Sequence, residues 1–164
     1  MLIIMVSALL LGAVIYDFVS HRLPNYYLFL GLLAGVYLQF AMVGWFGLRI
    51  AGEGFLVGFF MFLPLYIFGG MSAGDVKLMA VVGSFLDGGS AAWAASYSLV
   101  AGGVMGVLYL LYKGQLGRFG SRYLAMIVVR SNIPPGIDDA SRHRFPYAIA
   151  IATGTLLSLY WTPI

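Results

Sequence analysis

The sequence predicts an all-α, polytopic membrane protein of about six transmembrane helices, with both termini outside. Three observations carry that prediction. Hydrophobic residues make up 62% of the 164-residue chain and charged residues only 9%, whereas an ordinary soluble domain has about 25% charged residues. Apolar runs approaching the roughly 20 residues that a bilayer requires recur along the chain. Once those runs are threaded through a membrane, nearly all Lys and Arg residues fall on one side.

The first segment runs from Leu2 to Val19. It has no basic leading region and ends in Asp17 rather than at a small-residue cleavage site, so it reads as a retained helix and not as a signal peptide. The second runs from Tyr27 to Phe46 and the third from Gly54 to Phe68. A fourth starts near Val76 and reaches Leu86. The fifth runs from Ala91 to Tyr112 and the sixth from Pro146 to Trp161. Gly31 and Gly35, Gly54 and Gly58, and Gly102 and Gly106 each stand four apart, a spacing that lets membrane helices approach closely.

With six spans, Arg22, Lys77, Lys113, Arg118, Arg122, Arg130, Arg142 and Arg144 share one side. These are eight of the nine basic residues; Arg49 alone is opposite. The basic side is therefore cytoplasmic, in the inner membrane of a multi-pass protein. The chain reads as a single membrane-embedded domain over residues 1–164, with a basic cytoplasmic loop at about 113–145. Leu116 to Val129 in that loop could lie as an amphipathic helix on the anionic leaflet. Ile133-Pro-Pro-Gly136 then breaks any helix, and Asp138 and Asp139 read as a solvated turn.

Of the six acids, Glu53 reads as an interfacial residue at the outer end of the third helix. Asp87 heads Asp87-Gly-Gly-Ser90, a turn composition. Asp17 and Asp75 remain, both on the cytoplasmic side. Asp17 ends an apolar run and alone would pass as an interfacial helix end. Asp75 follows a stretch poor in helix formers, Gly69 to Gly74. The 11 residues from Val76 to Leu86 make only about 16 Å of helix, short of a hydrocarbon core about 30 Å thick. Asp75 and its glycine-rich lead then lie below the surface, where irregular backbone is tolerated only inside protein or along a wet cavity. An acid placed there is a functional candidate.

Two carboxylates brought together share a proton, because both cannot ionise easily. One can act as base on a water while its protonated partner polarises a peptide carbonyl. Such aspartic peptidase chemistry needs no cofactor. The chain has no cysteine, which excludes disulfides, thiol nucleophiles and Cys-ligated zinc. His21 and His143 stand on loops and do not make the three- or four-ligand cluster of a zinc site. No metal and no nucleic acid partner is expected.

Three segments resemble the prepilin peptidase family. Asp17-Phe-Val-Ser-His-Arg-Leu-Pro24-Asn25 is similar to its first-helix motif. Gly70-Met-Ser-Ala-Gly74-Asp75-Val-Lys77-Leu78 resembles its Gly-x-Gly-Asp motif and the Val-Lys-Leu that follows. Arg144-Phe-Pro146-Tyr147-Ala148-Ile-Ala150 is similar to the opening of its last helix. The resemblance implies an intramembrane aspartic peptidase that removes the basic leader of type IV prepilins or pseudopilins at the cytoplasmic face. Asp17 and Asp75 would be the catalytic pair, with pilus or secretion machinery as a possible further partner beside the bilayer. Ser72 replaces the first glycine of the motif, which bears on the shape of the loop because serine reaches positive φ less freely. The Cys-rich insert of larger, methylating members is missing, so the chain resembles the short Flp/Tad-type or archaeal-type enzymes.

Gly74, Ser72, Lys77, Pro24 and Asn25 are the supporting residues of this reading. Pro24 and Asn25 turn into the second helix, with Asn25 as its cap. Lys77 either favours the ionised form of an aspartate or snorkels to headgroups. Two other classes stay open: a transporter or proton relay using the same acids, and an inactive scaffold with the same fold.

Overall fold

The computed structural model describes residues 2–20, 23–112 and 147–161. They form six helices: α1 (Leu2–Ser20), α2 (Asn25–Val43), α3 (Trp45–Ile67), α4 (Ala73–Gly83), α5 (Gly88–Tyr112) and α6 (Tyr147–Trp161). Four of them, α1, α2, α3 and α5, are long and apolar enough to cross a membrane. The apolar helix α6 has 15 residues and α4 has 11. Large apolar side chains such as Ile4, Leu11, Phe29, Trp45 and Tyr160 face outward, the pattern of a surface solvated by lipid rather than water.

The chain divides into two compact units, residues 1–102 with 146–164, and residues 103–145. The described part of the second is the end of α5, whose Val104, Val107, Leu108 and Leu111 are exposed. The proposed basic loop and its amphipathic stretch lie outside the described residues.

Within the first unit, α4 is the central helix. Asp75, Val76 and Leu78 through Gly83 are all buried, and α4 packs on α2, α3 and α6. Glycine explains how closely. A side chain at Gly54 would meet the carbonyls of Gly83 and Leu86, and one at Gly58 the carbonyl of Met79. The two helices therefore run antiparallel with their backbones in contact. Gly31 lies under Leu9 and Val81, and Gly35 under Ser84 and Phe85, so the second pair of small residues seats α2 on α1 and α4. The third pair divides. Gly102 lies under Tyr147, whereas Gly106 has open space above it among the described residues.

A short helix buried at both ends must satisfy its terminal backbone groups inside the protein. After α4 the chain tightens into single turns, with Phe85 N–H donating to Val82 O and Leu86 N–H to Gly83 O. The buried Gln39 of α2 reaches across and donates Nε2 to Phe85 O at 2.9 Å. Asp87 then caps α5, its Oδ2 accepting from Gly89 N at 3.0 Å and Ser90 N at 3.2 Å.

The largest departure from the sequence reading lies between α2 and α3. The expected loop before Gly54 is helix, and α3 begins at Trp45. One residue makes the turn: Gly44 has φ of 66°, a left-handed conformation that glycine adopts without a Cβ penalty. Glu53 is thus not at the outer end of the third helix but in its third turn. There it pairs with Arg49, one turn earlier, at 2.8 Å. An i,i+4 pair offsets the two charges and lets the helix continue.

Candidate active site

The glycine-rich segment before Asp75 is two helix caps in succession. Gly69 has φ of 75° and its N–H donates to Tyr66 O, while Gly70 N–H donates to Leu65 O at 2.7 Å. These are the two bonds of a Schellman motif, which ends α3. Two residues later Ser72 is the N-cap of α4, with φ of −83° and ψ of 156°. Ser72 replaces the motif glycine without strain, because the position is extended and not left-handed.

Ser72 also fixes Asp75. Its Oγ accepts from Asp75 N–H at 3.3 Å and donates to Asp75 Oδ2 at 2.8 Å. Its own N–H donates to the same oxygen at 3.0 Å. This is a reciprocal capping box with the aspartate at the third helical position. Asp75 is therefore in the first turn of α4 and not just ahead of it as expected. It is 6% exposed, and its carboxylate is hydrogen-bonded rather than bare, as a buried charge must be. Gly74 keeps the box open: a Cβ there would stand 3.3 Å from Ser72 Oγ and 3.6 Å from Leu23 Cβ.

Asp17 is presented by the inward face of α1. Val6, Leu9, Leu10, Ala13 and Asp17 are the buried residues of that helix, spaced three and four apart. Asp17 is 9% exposed. Its Oδ2 accepts from the N–H of Ala148, 131 residues away, at 3.3 Å. Ala148 is in the first turn of α6, where N–H groups have no partner in their own helix. Asp17 thus serves a helix end, but that of α6 instead of its own. Tyr27 pins α2 beside this part of α1, donating its hydroxyl to Leu9 O at 2.6 Å and packing its ring 5.2 Å from Tyr16.

The residue before Ala148 reaches the other acid. Tyr147 lies within electrostatic reach of the Asp75 carboxylate and sets its ring edge-on to the buried Phe62 at 6.1 Å. Of these adjacent residues at the start of α6, Ala148 donates to Asp17, while Tyr147 lies near Asp75. In the sequence, Tyr147 and Ala148 read only as part of a helix opening, with no role of their own.

Lys77 Nζ donates to Asn25 Oδ1 at 3.0 Å, tying α4 to the start of α2. Asn25 is the first residue of α2 and not its cap. Pro24 occupies the cap position, without a side-chain bond, and its carbonyl accepts from Tyr27 and Leu28 N–H.

A family model described as the type IV leader peptidase family matches residues 3–111, a stretch that includes both aspartates and ends before α6. No curated protein and no solved structure gives a significant match.

Proposed function

Because this chain belongs to the type IV leader peptidase family, we propose that it is an intramembrane aspartic endopeptidase. Its substrates would be type IV prepilins or pseudopilins, cleaved at the cytoplasmic face of the inner membrane with Asp17 and Asp75 as the catalytic pair. The observation that carries this reading is that both carboxylates are buried, Asp17 on the inward face of α1 with its Oδ2 on the Ala148 N–H of α6, and Asp75 in the first turn of α4, which itself packs on α6.

The chemistry follows from one proton shared between two acids. The ionised carboxylate takes a proton from water as its oxygen bonds to the scissile carbonyl carbon. The protonated partner donates to the carbonyl oxygen, so no bare oxyanion forms. Collapse of the tetrahedral intermediate breaks the C–N bond, and a carboxyl proton goes to the leaving amine. The same reading makes the chain one membrane domain with both termini outside and its basic loop in the cytoplasm.

Asp17→Asn and Asp75→Asn are each expected to abolish cleavage of a co-expressed prepilin while membrane insertion is unchanged. Normal processing by either variant would remove the dyad reading and return the acids to a relay or structural role.

A further inference from the structure

The first turn of α6 meets three other helices, α1 through Asp17, α3 through Phe62 and α5 at Gly102. The ring of Tyr147 meets Phe62 edge-on, at 6.1 Å and 80°, and Phe62 is fully buried in α3. The hydroxyl and ring edge of Tyr147 also lie directly on the α5 backbone at Gly102. A Cβ built on Gly102 would overlap Tyr147 Oη and Cζ. The ring thus contacts both α3 and α5, and α5 offers it the smallest residue there is. The peptide N–H that follows, that of Ala148, is the one that meets Asp17.

We propose that Tyr147 is a positioning residue. Its ring, seated on Gly102 and braced by Phe62, fixes the start of α6 so that the Ala148 N–H meets Asp17 Oδ2. The inference rests on the reading of Asp17 and Asp75 as the catalytic pair. The ring does the positioning and the hydroxyl does not. Displacement of the ring moves α6 relative to α1 and so misaligns one acid of the pair. Misplacement by 1 Å in an active site can cost about 100-fold in rate.

The test is a double-mutant cycle on prepilin cleavage with purified, full-length protein. Gly102→Ala touches neither aspartate, yet it should lower kcat about tenfold or more with KM little changed, because the ring must move. Tyr147→Ala should lower kcat similarly. Tyr147→Phe should retain near wild-type kcat, since ring and brace remain. The Gly102→Ala/Tyr147→Ala double variant should be no worse than Tyr147→Ala alone, because the added methyl then meets no ring. Full kcat in Gly102→Ala, or losses that multiply in the double variant, would overturn the proposal. If Tyr147→Ala fails to insert, Gly102→Ala and Tyr147→Phe decide it alone. Asp17→Asn and Asp75→Asn run alongside separate the two readings. If those retain activity, the dyad fails; if they are inactive while Gly102→Ala is fully active, only the positioning role fails.

Discussion

Ser72 is one serine with three tasks: it starts a helix, accepts an N–H and holds a carboxylate. Its extended backbone is one that serine and glycine both adopt, which explains how the motif position tolerates either. At an N-cap, alanine costs about 0.5–2 kcal/mol relative to serine, and glycine only a few tenths. Ser72→Ala is therefore expected to lower unfolding stability in detergent by about 1 kcal/mol, and Ser72→Gly to lower it far less. Equal losses in the two variants would show that the cap is not what holds this loop. At this scale Asp75 was legible in the sequence because a short apolar run and a glycine-rich lead frame it. Asp17 was legible only with its neighbours. Tyr147 and Ala148 were not, because their roles arise from contacts with distant residues that leave no local pattern.

Helices here are delimited by single residues more than by loops. Gly44 turns α2 into α3, the Schellman bonds end α3, and Asp87 starts α5. That is why the sequence placed α3's start nine residues late. Arg49 read as part of an outer loop and Glu53 as the outer helix end, because their pairing one turn apart is visible only on a helix. Asp87 gives a measurable case. Hydrogen bonds from Ser90, and then from nearby backbone N–H groups, hold its carboxyl below the ordinary value of 3.8. A group with a lowered folded pKa stabilises above its unfolded pKa and loses that contribution as pH falls through the folded value. Asp87→Ala should thus cost about 1 kcal/mol at neutral pH, and the difference from wild type should shrink as pH drops below about 4. A penalty unchanged at low pH would mean that the carboxylate does not cap α5. The side chain is exposed, so screening keeps the charge part of the effect small.

The first unit is organised around a helix that is too short to span and is buried nearly throughout. The composition announced the class, and the apolar runs announced the six helices of the described residues in order. What they could not announce was which helix lies at the centre, because burial by protein and burial by lipid select the same residues. The proposed orientation can be measured directly, since a chain without cysteine is ready for single-cysteine labelling. Ile164→Cys should react with a membrane-impermeant maleimide added outside intact cells, and Gln115→Cys only after permeabilisation. The opposite pattern would put Asp17 and Asp75 on the wrong face for leader removal.

The bond between Ala148 and Asp17 also imposes an order of events during biosynthesis. Asp17 leaves the ribosome 131 residues before the group that contacts it. Until α6 has been made and inserted, Asp17 lacks that neighbour, and Asp75 lacks Tyr147. If the proposed dyad is the catalytic pair, a half-made chain, surrounded by the apolar segments of other nascent proteins, would stay inert until the last of the six described helices docks.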